Sequence, residues 1–473
     1  MARILMVAPE AAPFIKTGGL ADVLGALPPA LAATGEQVAV VLPRYRSVSI
    51  EGARKVLDPL PLWIGPYRYS ATLWMIERAG VAYYLVDAPD FYDRDGIYAG
   101  PWGDHWDNDT RFAALCHAGL AVARGIFRPD IIHCHDWQTG LLPVYLNQYY
   151  HSDPTFQRVK TVFTIHNMGY QGSFGRERLA WLGLPDAMFR PDLMEFYGRI
   201  NLLKAGIVFS DYITTVSPKY AREIQTPEQG FGLDGLMRAR SGFLQGILNG
   251  VDYSVWNPET DPNIAANYTA ADLSAKLQCK LDLLRVFGLS EDRPEVPVVG
   301  IVSRLAGQKG FDLIAQVADD LVHWDIRIVV LGTGEAKYED LFRRLAASRP
   351  DRFAIHVGFD PKLAHKVEAG SDIFLMPSHY EPCGLNQMYS LRYGTVPVVH
   401  ATGGLDDTID ADTGFKFSPY SAEAMLGALR AALTVYWVDR ERWLRMMRTG
   451  MSRDFSWETA AVAYSDLYHR LAG

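Results

Sequence analysis

Two loops of this sequence place a cation beside glycines, a pattern that suits the binding of a phosphate group. The first, Lys16-Thr17-Gly18-Gly19, runs directly into a stripe of leucine and valine at helical spacing. Adjacent glycines leave backbone N–H groups open to a close ligand, and the start of a helix favours an anion. In the second loop, Ser303–Gly310, Arg304 offers a planar fork and Lys309 a point charge. For each loop alone, a solvated cation on a tight turn is the alternative explanation.

The second half of the chain adds a carboxylate and further glycines. Glu381 begins the segment Glu381-Pro382-Cys383-Gly384-Leu385, and its carboxylate can accept hydrogen bonds from sugar hydroxyls. The N–H groups of Gly384 and Leu385 would lie at the start of a following helix, where they favour a phosphate. Thr402-Gly403-Gly404 repeats the glycine pair after another apolar run. Three such loops in one predicted sheet are difficult to explain as chance turns.

Histidines and a carboxylate follow two apolar runs of the first half. His133-Cys134-His135-Asp136-Trp137 ends one run, and His166-Asn167 ends the next. The His-x-His-Asp pattern of the first segment could bind zinc, and both histidines would lie on one face of the strand. No further ligand cluster accompanies these two histidines, however, and zinc needs at least three protein ligands. We therefore predict no metal site. A lone histidine at a strand end is usually structural, whereas His166 shares a predicted sheet edge with Asp136 and Lys16, which favours a role in the site.

These loops require sheets whose strands end at a common edge, and the apolar pattern predicts two of them. Short apolar runs alternate with amphipathic segments, which indicates parallel strands covered by helices on both faces. Ligands of such sheets bind beyond the carboxyl ends of the strands. The predicted strands are Arg3–Ala8, Gln37–Leu42, Val81–Val86, Asp130–His133, Thr161–Ile165 and Tyr212–Val216 in the first half, and Val296–Val302, Ile326–Leu331, Phe353–Val357, Ile373–Met376 and Val396–Val399 in the second.

The pattern therefore predicts an α/β protein with two doubly wound, parallel-sheet domains that face each other across a cleft. The predicted domains cover residues 1–248 and 249–455, because the turn-rich Asn249-Gly250-Val251-Asp252 interrupts the pattern. Residues 456–473 have apolar residues at helical spacing and no strand after them. We expect a helix there, and packing against the first domain is one arrangement open to it.

The composition narrows the partners and the compartment. A chain of 473 residues with 49 % hydrophobic and 21 % charged residues is typical of a globular enzyme of two or three domains. The net charge of −8 argues against nucleic acid as the main partner but not against a neutral polymer. Four scattered cysteines, an N-terminus unlike a signal peptide and the absence of any apolar run of about eighteen residues predict a cytoplasmic protein that does not span a membrane.

Taken in order, the motifs resemble those of the family of bacterial glycogen synthases and plant starch synthases. No single motif is unique, but the ordered set is highly specific, and the resemblance covers almost the whole chain. It implies the GT-B fold, with two Rossmann-like domains and the active site between them. The motifs are Lys16-Thr17-Gly18-Gly19-Leu20, Val216-Ser217-Pro218, Thr226-Pro227-Glu228, Gly232-Leu233-Asp234-Gly235, Asn249-Gly250-Val251-Asp252, Ser303-Arg304-Leu305, Glu381-Pro382-Cys383-Gly384-Leu385 and Thr402-Gly403-Gly404-Leu405.

On the phosphate side, the resemblance implies that Arg304 and Lys309 hold the distal phosphate and stabilise the leaving nucleoside diphosphate. Lys16, with the Gly18-Gly19 turn, would be the contribution of the first domain. Phe359 stands where the family usually has a tyrosine that stacks on adenine. A phenylalanine ring keeps the stacking face and loses only the hydroxyl.

On the sugar side, Glu381 resembles the acid beside the glucosyl ring. His166 resembles the residue whose backbone and ring lie near the reacting carbon and the 6-hydroxyl. Many GT-B relatives have a second glutamate where this chain has Tyr389, so Glu381 alone can fill the sugar-binding role. The other residues of the predicted substrate site are Asp22, Asp136, Trp137, Asn167, Cys383, Gly384, Leu385, Thr402, Gly403 and Gly404.

The implied reaction is the transfer of glucose from ADP-glucose to the non-reducing end of an α-1,4-glucan, such as glycogen or a maltooligosaccharide, with retention of configuration. The resemblance implies no metal and no pyridoxal phosphate. Three alternatives stay open: a GT-B transferase that uses UDP-glucose or a small acceptor, a glucan phosphorylase, and a non-catalytic glucan-binding module. The sequence leaves the oligomeric state open as well.

Overall fold

A computed structural model describes all 473 residues of the chain, which divide into two compact units. The first unit consists of Met1–Val216, Ala221–Gly250 and Trp457–Gly473, and the second of Ser217–Tyr220 and Val251–Ser456. The main division falls between Gly250 and Val251, within the turn-rich segment where we predicted a boundary.

The strands of the first unit form one large sheet and two small ones. They are β1 (Arg3–Val7), β2 (Gln37–Pro43), β3 (Arg54–Ile64), β4 (Tyr67–Arg78), β5 (Val81–Asp87), β6 (Ala99–Gly100), β7 (Gly103–Asp104), β8 (Ile131–His135), β9 (Lys160–Ile165), β10 (Ser173–Phe174), β11 (Glu195–Phe196), β12 (Arg199–Asn201), β13 (Tyr212–Thr215) and β14 (Leu244–Gly246). The large sheet has nine strands in the order β14-β13-β9-β8-β1-β2-β5-β4-β3, and it is parallel from β14 to β5. Every strand predicted in this half is present, with small shifts at the ends.

A hairpin at the edge of this sheet departs from the predicted parallel arrangement. β3 and β4 pair antiparallel with each other, and β4 pairs antiparallel with β5. From Leu60 to Ile64 the side chains of β3 alternate between buried and exposed, because only one face of the hairpin packs on the protein. The first sheet is therefore mixed, and the prediction of a wholly parallel sheet was wrong for this edge.

A six-stranded parallel sheet forms the centre of the second unit. Its strands are β15 (Val298–Val302), β16 (Arg327–Gly332), β17 (Phe353–Val357), β18 (Ile373–Met376), β19 (Val396–His400) and β20 (Phe415–Phe417). Their spatial order is β17-β16-β15-β18-β19-β20, which is the 3-2-1-4-5-6 order of the Rossmann fold. The order reverses between β15 and β18, and nucleotides bind at such reversals.

Helices pack on the sheets of both units. Up to residue 250 they are α1 (Gly19–Ala33), α2 (Pro89–Tyr92), α3 (Asn108–Val122), α4 (Leu141–Tyr149), α5 (Arg178–Trp181), α6 (Leu202–Phe209), α7 (Pro218–Glu223) and α8 (Asp234–Ala239). Beyond it they are α9 (Lys276–Val286), α10 (Phe311–Gln316), α11 (Ala318–Leu321), α12 (Ala336–Ser348), α13 (Pro361–Gly370), α14 (Asn386–Arg392), α15 (Gly403–Thr408), α16 (Ala422–Val438), α17 (Arg440–Ser452) and α18 (Trp457–Ala472). The helix α18 packs on α1 within the first unit. None of these helices combines the length and the apolar character that a membrane crossing requires.

The apolar stripe of α1 shows how the sequence positions the first loop. Leu20, Val23, Leu24 and Leu27 are all buried, at the spacing of one helical face. Because this face packs into the core, the start of α1 is held near the carboxyl end of β1. The Lys16–Gly19 loop is thereby fixed at the edge of the sheet where ligands bind.

Candidate active site

A lysine–glutamate pair lies where the strand order of the second unit reverses. Lys309 Nζ lies 2.5 Å from Glu381 Oε2, and both side chains are largely buried. Ser378 Oγ donates a hydrogen bond to the same carboxylate oxygen at 3.0 Å. The carboxylate is therefore fixed through one oxygen, and Oε1 makes no hydrogen bond within the protein.

Arg304 lies on the same loop as Lys309 but is exposed, and few of its donors are used. Its closest partner is Gln308, whose Oε1 lies 3.5 Å from a guanidinium nitrogen. The backbone of this loop is better fixed, because the Gln308 carbonyl accepts a 2.8 Å hydrogen bond from His379 N–H. The contact ties the Arg304–Lys309 loop to the segment that leads into Glu381. A guanidinium with free donors thus stands on a fixed loop.

Glycines allow the loops of this site to pack against one another. A Cβ on Gly403 would lie 1.9 Å from the Glu381 carbonyl oxygen, and one on Gly404 would lie 2.0 Å from the Cys383 carbonyl oxygen. The Gly404 N–H also donates to the carbonyls of Glu381 and Pro382, each at 3.2 Å. The observed role of this glycine pair is therefore to support the loop at residues 381–383. Contact of Gly403 and Gly404 with a ligand stays a prediction.

The remaining predicted residues of the second unit surround these loops. Phe359 follows β17 and is 84 % exposed, so its ring face is accessible. Cys383 and Thr402 are buried. Leu385 directly precedes α14, and the next residue, Asn386, donates from Nδ2 to the Val302 carbonyl at 2.8 Å. This bond holds the start of α14 against the end of β15.

Glu10, which we did not single out from the sequence, holds the glycine loop of the first unit. It is 3 % exposed and accepts hydrogen bonds from Thr17 N–H at 2.6 Å and Thr17 Oγ1 at 2.9 Å. Tyr98 donates its hydroxyl to the same carboxylate at 2.9 Å. Burial raises the pKa of Glu10, and these hydrogen bonds oppose the rise. A carboxylate just after β1 and shortly before a glycine loop was the sequence signal available.

The loop that Glu10 supports presents a cation beside open space. Lys16 Nζ lies 2.6 Å from Asp22 Oδ1, and both side chains are partly exposed. A Cβ on Gly18 or Gly19 would meet nothing within 4 Å. The packing of the protein therefore does not itself require glycine at these two positions, which leaves their backbone accessible to a ligand.

Asp136 fixes the loop that carries His166. The residue follows β8, is 8 % exposed, and has φ of 57° and ψ of −179°, a rare conformation for a residue with a side chain. Its Oδ1 accepts a 2.7 Å hydrogen bond from the His166 N–H. Burial raises the pKa of Asp136 to about 7, although hydrogen bonds from the His166 and Asn167 N–H groups oppose this. A strained backbone at a strand end is typical of a functional site.

The histidines of the first unit form a connected group. His133 uses both ring nitrogens, with Nδ1 lying 2.7 Å from the Tyr468 hydroxyl and Nε2 lying 2.5 Å from Thr164 Oγ1. His135 Nδ1 lies 3.0 Å from His166 Nε2. The structure contains no group of three or more His, Cys, Asp or Glu side chains arranged to hold a metal ion.

Trp137 and Asn167 make mainly local contacts. The Trp137 ring lies edge-on to Phe112, with centroids 5.2 Å apart, and it packs so closely on Gly172 that a Cβ there would come within 2.3 Å. Asn167 Oδ1 accepts a 2.9 Å hydrogen bond from Gly169 N–H, which closes a turn. Both residues thus shape the loops after β8 and β9, and a direct contact with substrate stays a prediction.

Comparison with known proteins agrees with this architecture. Residues 3–239 match the family model of the starch synthase catalytic domain, and residues 290–445 match that of glycosyl transferases group 1. Over 478 residues the chain is 54 % identical to glycogen synthase of Koribacter versatilis, covering 99 % of this chain and 98 % of the relative. Over 477 residues it is 50 % identical to glycogen synthase of an Anaeromyxobacter strain, covering 99 % of each.

A solved structure is similar over the same length. The catalytic domain of starch synthase IV from Arabidopsis thaliana, bound to ADP and acarbose, has a TM-score of 0.91 at 33 % identity and covers 100 % of this chain and 99 % of that chain. Similarity in sequence and structure therefore extends over both units rather than over one shared motif. The chain belongs to the family of glycogen synthases and starch synthases, which are glycosyltransferases with the GT-B fold.

Proposed function

We propose that this chain is a glycogen synthase that transfers glucose from ADP-glucose to the non-reducing end of an α-1,4-glucan, with retention of configuration. The observation that carries the proposal is the Lys309–Glu381 pair beside Arg304, at the strand reversal of the second unit. Cations beside a carboxylate suit a substrate in which a phosphate is joined to a sugar. The ADP bound to the similar starch synthase IV supports an adenine nucleotide as the donor.

The phosphate side of the reaction demands stabilisation of negative charge. Breaking the bond between sugar and phosphate develops positive charge on the ring and negative charge on the leaving diphosphate. Arg304 and Lys309 would stabilise this charge more in the transition state than in the ground state. Each well-placed donor contributes about 3–4 kcal/mol. We propose that these two cations make a metal unnecessary and that no pyridoxal phosphate takes part.

The sugar side requires an acceptor for hydroxyl groups. Because Lys309 and Ser378 hold Oε2 of Glu381, Oε1 is left to accept a hydrogen bond from the glucosyl ring. In this proposal the carboxylate serves as a hydrogen-bond acceptor and not as a covalent nucleophile. We therefore propose a front-face route, in which the leaving phosphate takes the proton of the acceptor hydroxyl. Isolation of a covalent glucosyl–enzyme adduct would contradict this route.

The first unit would contribute an additional cation and the residues near the reacting carbon. Lys16 stands beside the open Gly18-Gly19 turn, which suits a further contact with the nucleotide sugar. Asp136 orients the His166 backbone, and we propose that His166 faces the glucose. In this proposal both units act on the same donor molecule.

The decisive experiment is the transfer of labelled glucose to glycogen from ADP-glucose and, separately, from UDP-glucose, with EDTA present. We expect incorporation from ADP-glucose alone. Incorporation from UDP-glucose alone would leave the proposed mechanism in place but contradict the assignment of ADP-glucose as the donor. Loss of activity on chelation would overturn the proposal that no metal is needed. No transfer from either donor to glycogen or to maltooligosaccharides would favour a non-catalytic glucan-binding protein.

A further inference from the structure

The side chain of His166 is held by a second histidine, His135. His135 ends β8, and its neighbour in the parallel register on β9 is Thr164, close to His166 at the end of that strand. Its Nδ1 lies 3.0 Å from His166 Nε2, and the two ring centroids are 5.3 Å apart. His135 is fully buried, whereas His166 is partly exposed. The fully buried ring is therefore the partner of a ring that is less completely buried.

Only one of the two facing nitrogens can carry a proton. Burial lowers the pKa of His166 to about 3 and the pKa of His135 well below its usual value. Both rings are therefore neutral near pH 7, and each has one N–H group. Either His135 donates from Nδ1 to His166, or His166 donates from Nε2 to His135.

The second nitrogen of His135 distinguishes the two arrangements. His135 Nε2 is buried and has no hydrogen-bond partner. If His166 were the donor, the proton of His135 would lie on this Nε2 and would be a buried N–H group without an acceptor. Orphaned buried N–H groups are rare and costly. If His135 is the donor, the buried atom is only an unprotonated ring nitrogen, and the N–H group is satisfied.

We propose that His135 is a positioning residue, which donates its Nδ1–H to His166 Nε2 and thereby keeps the ring proton of His166 on Nδ1. His166 then presents an N–H donor, not a lone pair, on its free side. An N–H donor there suits a hydroxyl oxygen of the sugar. The consequence for catalysis rests on the proposed function, whereas the position of the proton does not.

The surroundings leave the pair little freedom. His133 packs on His135 with ring centroids 4.1 Å apart, and it is itself fixed through both nitrogens by Tyr468 and Thr164. The backbone of His166 is held by Asp136. With His135 and the His166 backbone both fixed, the hydrogen bond between the two rings constrains how the His166 ring is turned.

The proton position can be measured by NMR on deuterated protein that carries ¹⁵N-labelled histidine. The His166 signals are assigned by their loss in His166→Asn. We expect protonated Nδ1 and unprotonated Nε2 for His166 in the wild type, and a mixture of tautomers in His135→Phe. A His166 proton found on Nε2 in the wild type would overturn the proposal. This readout decides the question even if the wild type transfers no glucose.

Kinetics test the positioning role. Because an asparagine amide occupies nearly the place of imidazole Nδ1 and can donate, His135→Asn should retain most of kcat. His135→Phe should lower kcat roughly tenfold, the equivalent of one neutral hydrogen bond, with little change in the KM for ADP-glucose. The control is His117→Phe, which replaces a partly buried histidine of the first unit, stacked on Tyr145 at 4.2 Å, and should leave kcat unchanged. If His135→Asn and His135→Phe lost the same amount of kcat, and also the same amount of Tm, His135 would be merely structural.

Discussion

At the scale of single residues, the charge of Lys309 has two uses. The ammonium group fixes Glu381 at 2.5 Å, and in the proposed reaction it also stabilises the leaving phosphate. We therefore expect Lys309→Ala to lower kcat by roughly two orders of magnitude or more, an effect much larger than its change in Tm. Glucose transfer and thermal unfolding measure the two effects.

A matched control for Lys309 exists in the same unit. Lys366 Nζ lies 2.7 Å from Asp282 in a partly buried ion pair that no part of the proposed site uses. Lys366→Ala removes a comparable ion pair. Because this pair lies outside the proposed site, the kcat of the variant should equal that of the wild type. If Lys309→Ala lowered Tm in proportion to kcat, Lys309 would be a structural residue.

The buried carboxylate of Asp136 should make stability depend on pH. Burial raises its pKa from 3.8 to about 7. Between these values the folded protein binds a proton that the unfolded chain has released, so stability falls as pH rises through this range. Asp136→Asn has no such proton. We expect the unfolding free energy of the variant, relative to the wild type, to increase from pH 5 to pH 8 by at most about 3 kcal/mol. Urea unfolding at both pH values measures the difference, and parallel curves would place the titration elsewhere.

At the scale of elements, α15 supports the loop that carries Glu381. A Cβ on Gly404 would lie 2.0 Å from the Cys383 carbonyl oxygen, so Gly404→Ala must displace either α15 or the loop at residues 381–383. We expect kcat to fall at least about tenfold, because small displacements of catalytic groups are costly. Gly427→Ala is the control, since a Cβ on this helical glycine of α16 meets nothing within 4 Å. It should leave kcat unchanged and raise stability by up to about 1 kcal/mol. If Gly404→Ala had the kcat of the wild type, the loop at residues 381–383 would tolerate the displacement.

The elements also show what the sequence could predict. Strands such as β15 and β18 were predictable because both faces are buried and their apolar runs are continuous. A binding role for the loops after them was predicted because cations, a carboxylate and glycines recur directly after these strands, and that role stays a prediction. The β3–β4 hairpin was not predicted: β3 contains Pro59 and Pro61, which argue against a strand, and only one face of the hairpin is buried.

The contacts between side chains could not be predicted in this way. Whether His135 meets His166 depends on the register of β8 against β9, which is set by the whole sheet and not by either segment. The hydrogen bonds of Glu10 to Thr17 and Tyr98 join residues from three separate parts of the chain. Sequence motifs therefore predicted which loops follow the strands of each sheet, whereas the residues that hold these loops appeared only in the structure.

At the scale of the whole molecule, the proposed substrate contacts are divided between the two units. Arg304, Lys309 and Phe359, the residues proposed for the diphosphate and the adenine, all belong to the second unit. Lys16 and His166, proposed to act on the intact nucleotide sugar, belong to the first. The chain passes between the units at Gly250–Val251 and at Ser456–Trp457, and the short segment Ser217–Tyr220 also belongs to the second unit. This division predicts that binding of the product ADP and turnover of the donor respond differently to substitutions in the two units.

The prediction can be tested with two cation deletions. Arg304→Ala should weaken ADP binding roughly tenfold, because a charge-assisted hydrogen bond is lost, and it should lower kcat. Lys16→Ala should lower kcat to a similar degree but leave the Kd for ADP unchanged. Calorimetric titration with ADP measures the difference, with Arg285→Ala as the control, since its exposed guanidinium pairs only with Glu291 at 2.8 Å. If Arg304→Ala and Lys16→Ala raised the Kd for ADP equally, both units would be needed to bind the nucleotide. An effect of Arg304→Ala alone would mean that the second unit binds the nucleotide and that the first is needed for the transfer of glucose.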